Sequence, residues 1–292
     1  MMKYRIEHKT KYRYSEPASL SQNELMLTPR ATATQKVGSS QLKIRPEPQY
    51  WENRTDYFGN DVRAFMVQHP HAELSMTAIS EVDTSPSNPP AAESTPPWEA
   101  VAHQLASHTL SEELAAYQFI FASPLTTVSA AIRDFAANSF PPQRPIVEGA
   151  LDLIERIFTE FTYDKAATTV ETGVEQVLRD RKGVCQDFAH LAISCLRSLG
   201  LAARYVSGYL ETQPPPGKPK LIGADASHAW LSLYVPQAGW VDLDPTNNLI
   251  PNGRHITLAW GRDYGDVTPV RGVVLGGGRH ELSVTVDVAA VS

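Results

Sequence analysis

Hydrophobic and polar positions alternate singly where the chain begins. Tyr4, Ile6 and His8 are set against Arg5, Glu7 and Lys9 within residues 3–14, the period of a strand with one covered face. Strand-like runs follow at Leu25–Leu27, Gln41–Ile44, Val62–Val67 and Leu74–Val82, separated by turn sequences such as Phe58-Gly59-Asn60-Asp61. Short strands at turn spacing predict a small β-sandwich or barrel over residues 1–83. Residues 84–97, TSPSNPPAAESTPP, hold five prolines and predict an exposed, semi-rigid linker.

Beyond the linker the apolar spacing lengthens to three and four. It predicts helices over Trp98–His108, Thr126–Ala137 and Val147–Phe161, the last with Leu151, Ile154, Ile157 and Phe158 on its apolar face. Ser123-Pro124 and Pro145 serve as helix-start signals. A short helix is expected around Gly173–Leu178. A long apolar segment then opens at Gly183-Val184-Cys185-Gln186-Asp187 and runs to Leu199, with Gly200 just past its end. The period then shortens to two, giving strands over Ala203–Leu210, His228–Val235, Trp240–Asp244 and Leu282–Val288. Residues 214–219 and the run Gly276-Gly277-Gly278 read as loops. Helices followed by a mostly antiparallel sheet make residues 98–292 an α+β unit.

Composition narrows the function. The 292 residues are enough for one or two sizeable cores. A net charge of -6 argues against a general nucleic-acid partner. No run of 18 apolar residues predicts a membrane-spanning helix, and the charged, alternating start lacks the apolar core of a secretory signal, so the expected location is cytoplasmic. The two cysteines, Cys185 and Cys195, lie ten positions apart in one predicted helix, about 15 Å along its axis, too far for a disulfide. Both are expected as free thiols.

Their surroundings differ. Cys185 falls in the first turn of its helix, where unsatisfied N–H groups and the positive end of the helix dipole favour a thiolate. The same N–H groups suit an oxyanion. Cys195 sits among Ile193, Leu196 and Leu199 and is expected as an inert core side chain. Of nine histidines, His228 has the most informative setting. In Ser227–Val235 the apolar row Ala229, Leu231, Leu233 and Val235 alternates with His228, Trp230, Ser232 and Tyr234. In the next strand Val241 and Leu243 alternate with Trp240, Asp242 and Asp244. A hairpin around Pro236–Gly239 pairing residue 228 with 244 and 232 with 240 would set Asp244 beside His228, where a carboxylate fixes the imidazole tautomer and stabilises its charged form. Taken alone, Asp244 before Pro245 is an ordinary turn former, and His228 an ordinary sheet histidine.

Four segments together resemble the transglutaminase-like superfamily. Arg181-Lys182-Gly183-Val184-Cys185-Gln186-Asp187-Phe188-Ala189-His190 resembles its nucleophile segment, and Ala202–Tyr209 the strand that follows in bacterial members. Ser227-His228-Ala229-Trp230 resembles the histidine motif; Gly239-Trp240 with Asp242-Leu243-Asp244-Pro245-Thr246 resembles the aspartate motif. The first 80 or so residues resemble the β-rich region accompanying this core in bacteria. The resemblance implies a papain-like, transglutaminase-core α+β domain, with motifs at 181–246, that acts as a cysteine protease, amidase or acyltransferase. It implies Cys185 as nucleophile, His228 as general base and acid, and Asp244 as the orienting acid. Asp242 competes on the same strand face, but the family's aspartate directly before Pro-Thr favours Asp244.

The expected chemistry is thiolate attack on an amide carbonyl and a thioester on Cys185, resolved by water or an amine. Tyr163 is a candidate oxyanion donor beside the Cys185 N–H. A peptide or protein substrate is expected, with no metal or organic cofactor, no nucleic acid and no membrane; no EF-hand loop is present. The 43 positions from Cys185 to His228 are far fewer than in papain-type proteases. HExxH, CxxC, P-loop and G-x-S-x-G patterns are absent. Two rival readings remain at this level. One is an inactive binding or scaffold module. The other is a zinc site from Cys185, Asp187, His190 and Cys195, whose five-residue helical steps suit a single ion poorly.

Overall fold

The computed structural model describes residues 1–107, 111–212 and 227–291. The loop expected at 214–219 and the end of the helix expected over Trp98–His108 lie outside the described residues. Two antiparallel sheets and a helical layer form an α+β molecule. Among the described residues no helix is long and apolar enough to cross a membrane.

The first sheet is organised by one long strand. β1 spans Met2–Leu25, followed by β2 (Gln35–Arg45), β3 (Tyr50–Thr55), β4 (Asp61–Val67) and β5 (His71–Thr84). The alternation expected over residues 3–14 covers only its first half. The register breaks between Arg13 and Ala18. Pro17 lies in that break and has no N–H to donate. The first half of β1 pairs with β5 and the second half with β4. Leu25, Leu27, Ile44, Phe65, Val67, Leu74 and Met76 are buried together inside the curled sheet.

The sheet is completed from the far end of the chain. β12 (Val270–Gly276) and β13 (His280–Val291) both pair with β1, one on each half. The expected assignment of residues 98–292 to a single core therefore fails for its last strands. Alternation predicts that a segment is a strand but not which strand it joins. Of the glycine run expected as a loop, Gly276 ends β12 and Gly277 and Gly278 lead toward β13; all three have positive φ, which glycine adopts at little cost. Residues 84–97 are not a free spacer either. Thr84 and Thr95 are buried, and Ser87 donates to the Pro251 carbonyl.

The helices are α1 (Trp98–Ser107), α2 (Ser111–Tyr117), α3 (Ala130–Ala137), α4 (Ile146–Glu160), α5 (Val174–Asp180) and α6 (Cys185–Ser198). The helix expected from Thr126 begins four residues late. Ser123 and Thr126 form a local bridge, and both hydroxyls receive hydrogen bonds from the buried Arg197. Ser129 then caps α3 by accepting from the Ile132 N–H. On α4, Ile146, Val147, Ala150, Leu153, Ile154 and Ile157 are buried, whereas Phe158 is exposed, so the apolar stripe lies one position from the expected face. α6 ends where expected, with Gly200 at φ +77° and its N–H on the Arg197 carbonyl.

The remaining strands are β6 (Thr162–Tyr163), β7 (Lys182–Gly183), β8 (Ala203–Leu210), β9 (Ser227–Val235), β10 (Gly239–Leu243) and β11 (His255–Gly261). The second sheet has the order β10-β9-β8-β11. Ala229, Leu231, Leu233 and Val235 of β9 share one buried cluster with the apolar side chains of α6. That cluster also takes in Tyr4, Ile6, Val82, Val286 and Val288 of the first sheet, so the two sheets share a core.

Gly208 on β8 is a point of closest approach. A Cβ there would stand 2.1 Å from the Ile256 carbonyl oxygen and 2.6 Å from the Trp230 ring. Gly208→Ala is expected to destabilise the protein by about 2–3 kcal/mol through overpacking, read as a lower urea midpoint with an unchanged m-value.

Candidate active site

The site is assembled from three backbone devices. The first is the start of α6. Cys185 is the first residue of that helix and is half-buried. Asp187, two residues on, turns its carboxylate back onto the Val184 N–H at 2.8 Å and accepts from the Thr168 hydroxyl at 2.6 Å. This ties off the helix start and leaves Cys185 beside the remaining amides. Burial pushes the Asp187 carboxyl up, against the two hydrogen bonds that lower it. The second device is the parallel pairing of β6 with β7, Tyr163 opposite Gly183, which brings Tyr163 alongside the thiol. Burial raises the Tyr163 pKa, and the neighbouring Cys185 and Asp187 raise it further.

The third device is the β9–β10 hairpin. Its register is two residues from the one expected: Ser232 faces Asp242 and Tyr234 faces Trp240. The turn is residues 236–238, since Gly239 already pairs with Val235, and Gln237 and Gly239 have positive φ. A two-residue slip preserves the strand face. Asp244 therefore meets His228 on the diagonal just past the end of β10, with His228 Nε2–H donating to its Oδ2 at 2.7 Å. Asp242, the competing acid, instead accepts from the Ser232 hydroxyl.

Asp244 is fully buried and accepts five hydrogen bonds. Oδ1 takes the Thr246 and Asn247 N–H groups at 2.9 and 3.2 Å, so the turn-forming role before Pro245 is filled. Oδ2 takes His228, the Asn247 side-chain amide at 2.7 Å and His255 Nε2–H at 2.9 Å. Oδ1 thus serves the turn and Oδ2 the histidines. Burial alone would raise its pKa, but the two histidines hold it well below the carboxylate range. Burial likewise pulls His228 down, yet Asp244 and Cys185 together lift it to about 10. With Nε2 committed to Asp244, Nδ1 is left to face Cys185.

His255 and Asn247 were missed by sequence reasoning. The signal was present for His255: the turn Pro251-Asn252-Gly253 precedes His255-Ile256-Thr257-Leu258-Ala259-Trp260-Gly261, a β-rich run. The proposed zinc set is not brought together. Cys195 is in the core, where burial pushes its thiol up to about 12, and His190 accepts the Tyr264 N–H at 3.1 Å. Among the described residues the one convergent group of possible ligands is His228, Asp244 and His255, and hydrogen bonds already account for its geometry.

Comparison with known proteins places the chain in a family. Residues 4–83 match the bacterial transglutaminase-like N-terminal region, and residues 133–245 match the transglutaminase-like superfamily. The chain is 44% identical over 294 residues to Uncharacterized protein Rv2569c of Mycobacterium tuberculosis, covering 98% of this chain and 92% of that one. It is 31% identical over 107 residues to a protein-glutamine gamma-glutamyltransferase of Pseudomonas aeruginosa, covering 34% of this chain and 16% of that protein. The fold matches the crystal structure of a "Putative Cysteine Protease" from Cytophaga hutchinsonii at TM-score 0.77 and 21% identity, over 100% of this chain and 91% of that one. The protein belongs to the transglutaminase-like superfamily. Within it, the chain carries the bacterial N-terminal region ahead of the transglutaminase-like core.

Asp244→Ala is expected to cost about 3–5 kcal/mol at neutral pH, because two buried histidines lose their acceptor. The Asp244 contribution is complete above its unfolded pKa near 4 and is lost as pH falls below it, so the gap to wild type narrows in acid. His228 has the opposite sign. Its contribution is complete below about 6.5 and is lost as pH rises through about 10, so the His228→Ala gap narrows on the alkaline side. Urea unfolding across a pH series measures both.

Proposed function

We propose that the protein is a cysteine-dependent enzyme acting on amide bonds of peptides or proteins, with Cys185 as nucleophile, His228 as general base and acid, and Asp244 as the orienting acid. The observation that carries this is the convergence of a helix-start cysteine with a histidine whose far nitrogen is committed to a buried carboxylate at 2.7 Å.

In this reading the Cys185 sulfur attacks the carbonyl carbon and the C=O electrons move onto oxygen. The Cys185 N–H and the Tyr163 hydroxyl are the candidate donors to that oxyanion. On collapse, the C–N bond breaks and His228 delivers its proton to the departing amine. The acyl group remains as a thioester on Cys185. Water or a second amine, deprotonated by His228, then attacks the thioester and regenerates the thiol. Asp244 keeps the imidazole in one tautomer and balances its charge. His255 is a positioning residue: it holds the oxygen that orients His228 and touches no reacting atom. The similarity to a protein-glutamine gamma-glutamyltransferase over 107 residues favours the side-chain carboxamide of glutamine as acyl donor.

Iodoacetamide near neutral pH is expected to label Cys185 selectively and to leave Cys195 untouched. His228→Ala should abolish the labelling; equal inertness of both thiols in wild type would count against the reading. Mass spectrometry of a peptide library, with and without an added amine, is expected to show cleaved, deamidated or amine-adducted peptides that vanish with Cys185→Ala. His255→Gln is expected to lower kcat by up to about a hundredfold with KM little changed, because the imidazole is misplaced rather than the substrate lost.

A further inference from the structure

Away from Cys185 and His228, the second sheet forms one wall of a chamber of about 650 Å³. Residues 32–35 of the first sheet's connection and residues 84–90 close it, with Ser232, Asp242 and Trp240 among the residues of its sheet wall. Its size is that of a small-ligand site. Neither Cys185 nor His228 lines it, although His255, the Asp244 partner, does.

Arg204 of β8 is the unusual group in this chamber. Its guanidinium lies 4.2 Å from the Trp240 ring centroid and 3.7 Å from that of Trp260, clamped between two indoles. Arg30 sits 3.5 Å from the same Trp260 ring, continuing the stack. The residue is half-buried, and among the described residues no group accepts a hydrogen bond from its guanidinium; its Nε is buried without a partner. Burial pulls its pKa down to about 9, which still leaves it cationic at neutral pH. Arg197, which is buried, shows the usual solution: its nitrogens are bonded to the Ala203 and Arg262 carbonyls and to two hydroxyls. On Arg204 the Nε is buried without an acceptor, which is costly unless one comes from outside, and the rest of the fork is left unpaired toward the chamber.

Asp242 supplies the nearest negative charge. It interacts with Arg204 at long range but forms no ion pair with it, and its oxygen is held by Ser232. A carboxylate on the same wall repels a doubly charged anion more than a singly charged one. A planar guanidinium fork matches a planar carboxylate through two parallel N–H···O bonds.

We propose that this chamber is a second binding site, for a terminal carboxylate gripped by Arg204, separate from the Cys185 centre and selective against phosphate through Asp242. The carboxylate comes either from a small organic acid or from a peptide C-terminus.

Calorimetric titration in the Cys185→Ala background separates binding from turnover, so it stands or falls independently of the proposed reaction. The probes are N-acetyl-Ala-Ala, its C-terminal amide, acetate and inorganic phosphate. Saturable binding of a carboxylate is expected, with the amide and phosphate at least about tenfold weaker. Comparable binding of acetate identifies free acids as the ligand class, and binding of the dipeptide alone identifies a peptide terminus. Arg204→Gln should weaken the interaction about tenfold or more. If that variant does not fold, Asp242→Asn tests the same site: it should strengthen carboxylate binding and admit phosphate. Absence of saturation by either carboxylate, equal binding of acid and amide, or indifference to Asp242→Asn would overturn the proposal.

Discussion

The carboxylate of Asp244 is the interaction on which the site rests. Five donors converge on it with no exposure to solvent, two from the backbone just after β10, one from Asn247 and two from histidines on different strands. A buried anion is unfavourable unless its lone pairs are filled, and here they are. Because the donors belong to β9, β11 and the turn after β10, this one group fixes the relative positions of three segments. It also settles the charge of His228.

Cys185, the proposed nucleophile, arrives on a separate scaffold. α6 is buried along most of its length, and only Cys185 and Gln186 in its first turn are less than buried. The residue that ties that turn is Asp187, which accepts from the backbone N–H of Val184, a residue whose side chain has no acceptor of its own. Two buried carboxylates therefore divide the work. Asp187 sets the start of the helix and Asp244 sets the histidine. Packing of the apolar row of β9 against α6 brings the two together.

Much of this was legible along the chain, because periodicity reports local conformation directly. β8 falls at its expected bounds, α6 and β9 within a residue of theirs, and Gly200 has the left-handed backbone expected of it. The pairing of His228 with Asp244 was legible too, but through a hairpin register two residues off, since a slip of two keeps the face and alternation alone cannot see it. What the chain hid were its non-local partners. Nothing near Val270 or His280 says that those strands join β1. Arg204 stood in a recognisable motif, yet its stacking between Trp240 and Trp260 depends on three strands meeting. His255 opens a legible strand run, but its contact with Asp244 Oδ2 depends on where that strand lies in the sheet.

The pairing of β1 with β13 has a consequence for how the molecule comes into being. Lys3 lies opposite Val291, so β1 must wait for a strand synthesised long after it. Until then half of β1 carries an unpaired row of backbone groups beside an already formed β5, the kind of edge that invites association between nascent chains. Non-local closure of this kind slows folding. The alternating charged residues Arg5, Glu7, Lys9 and Lys11 on that strand are suited to keeping the open edge soluble in the interval.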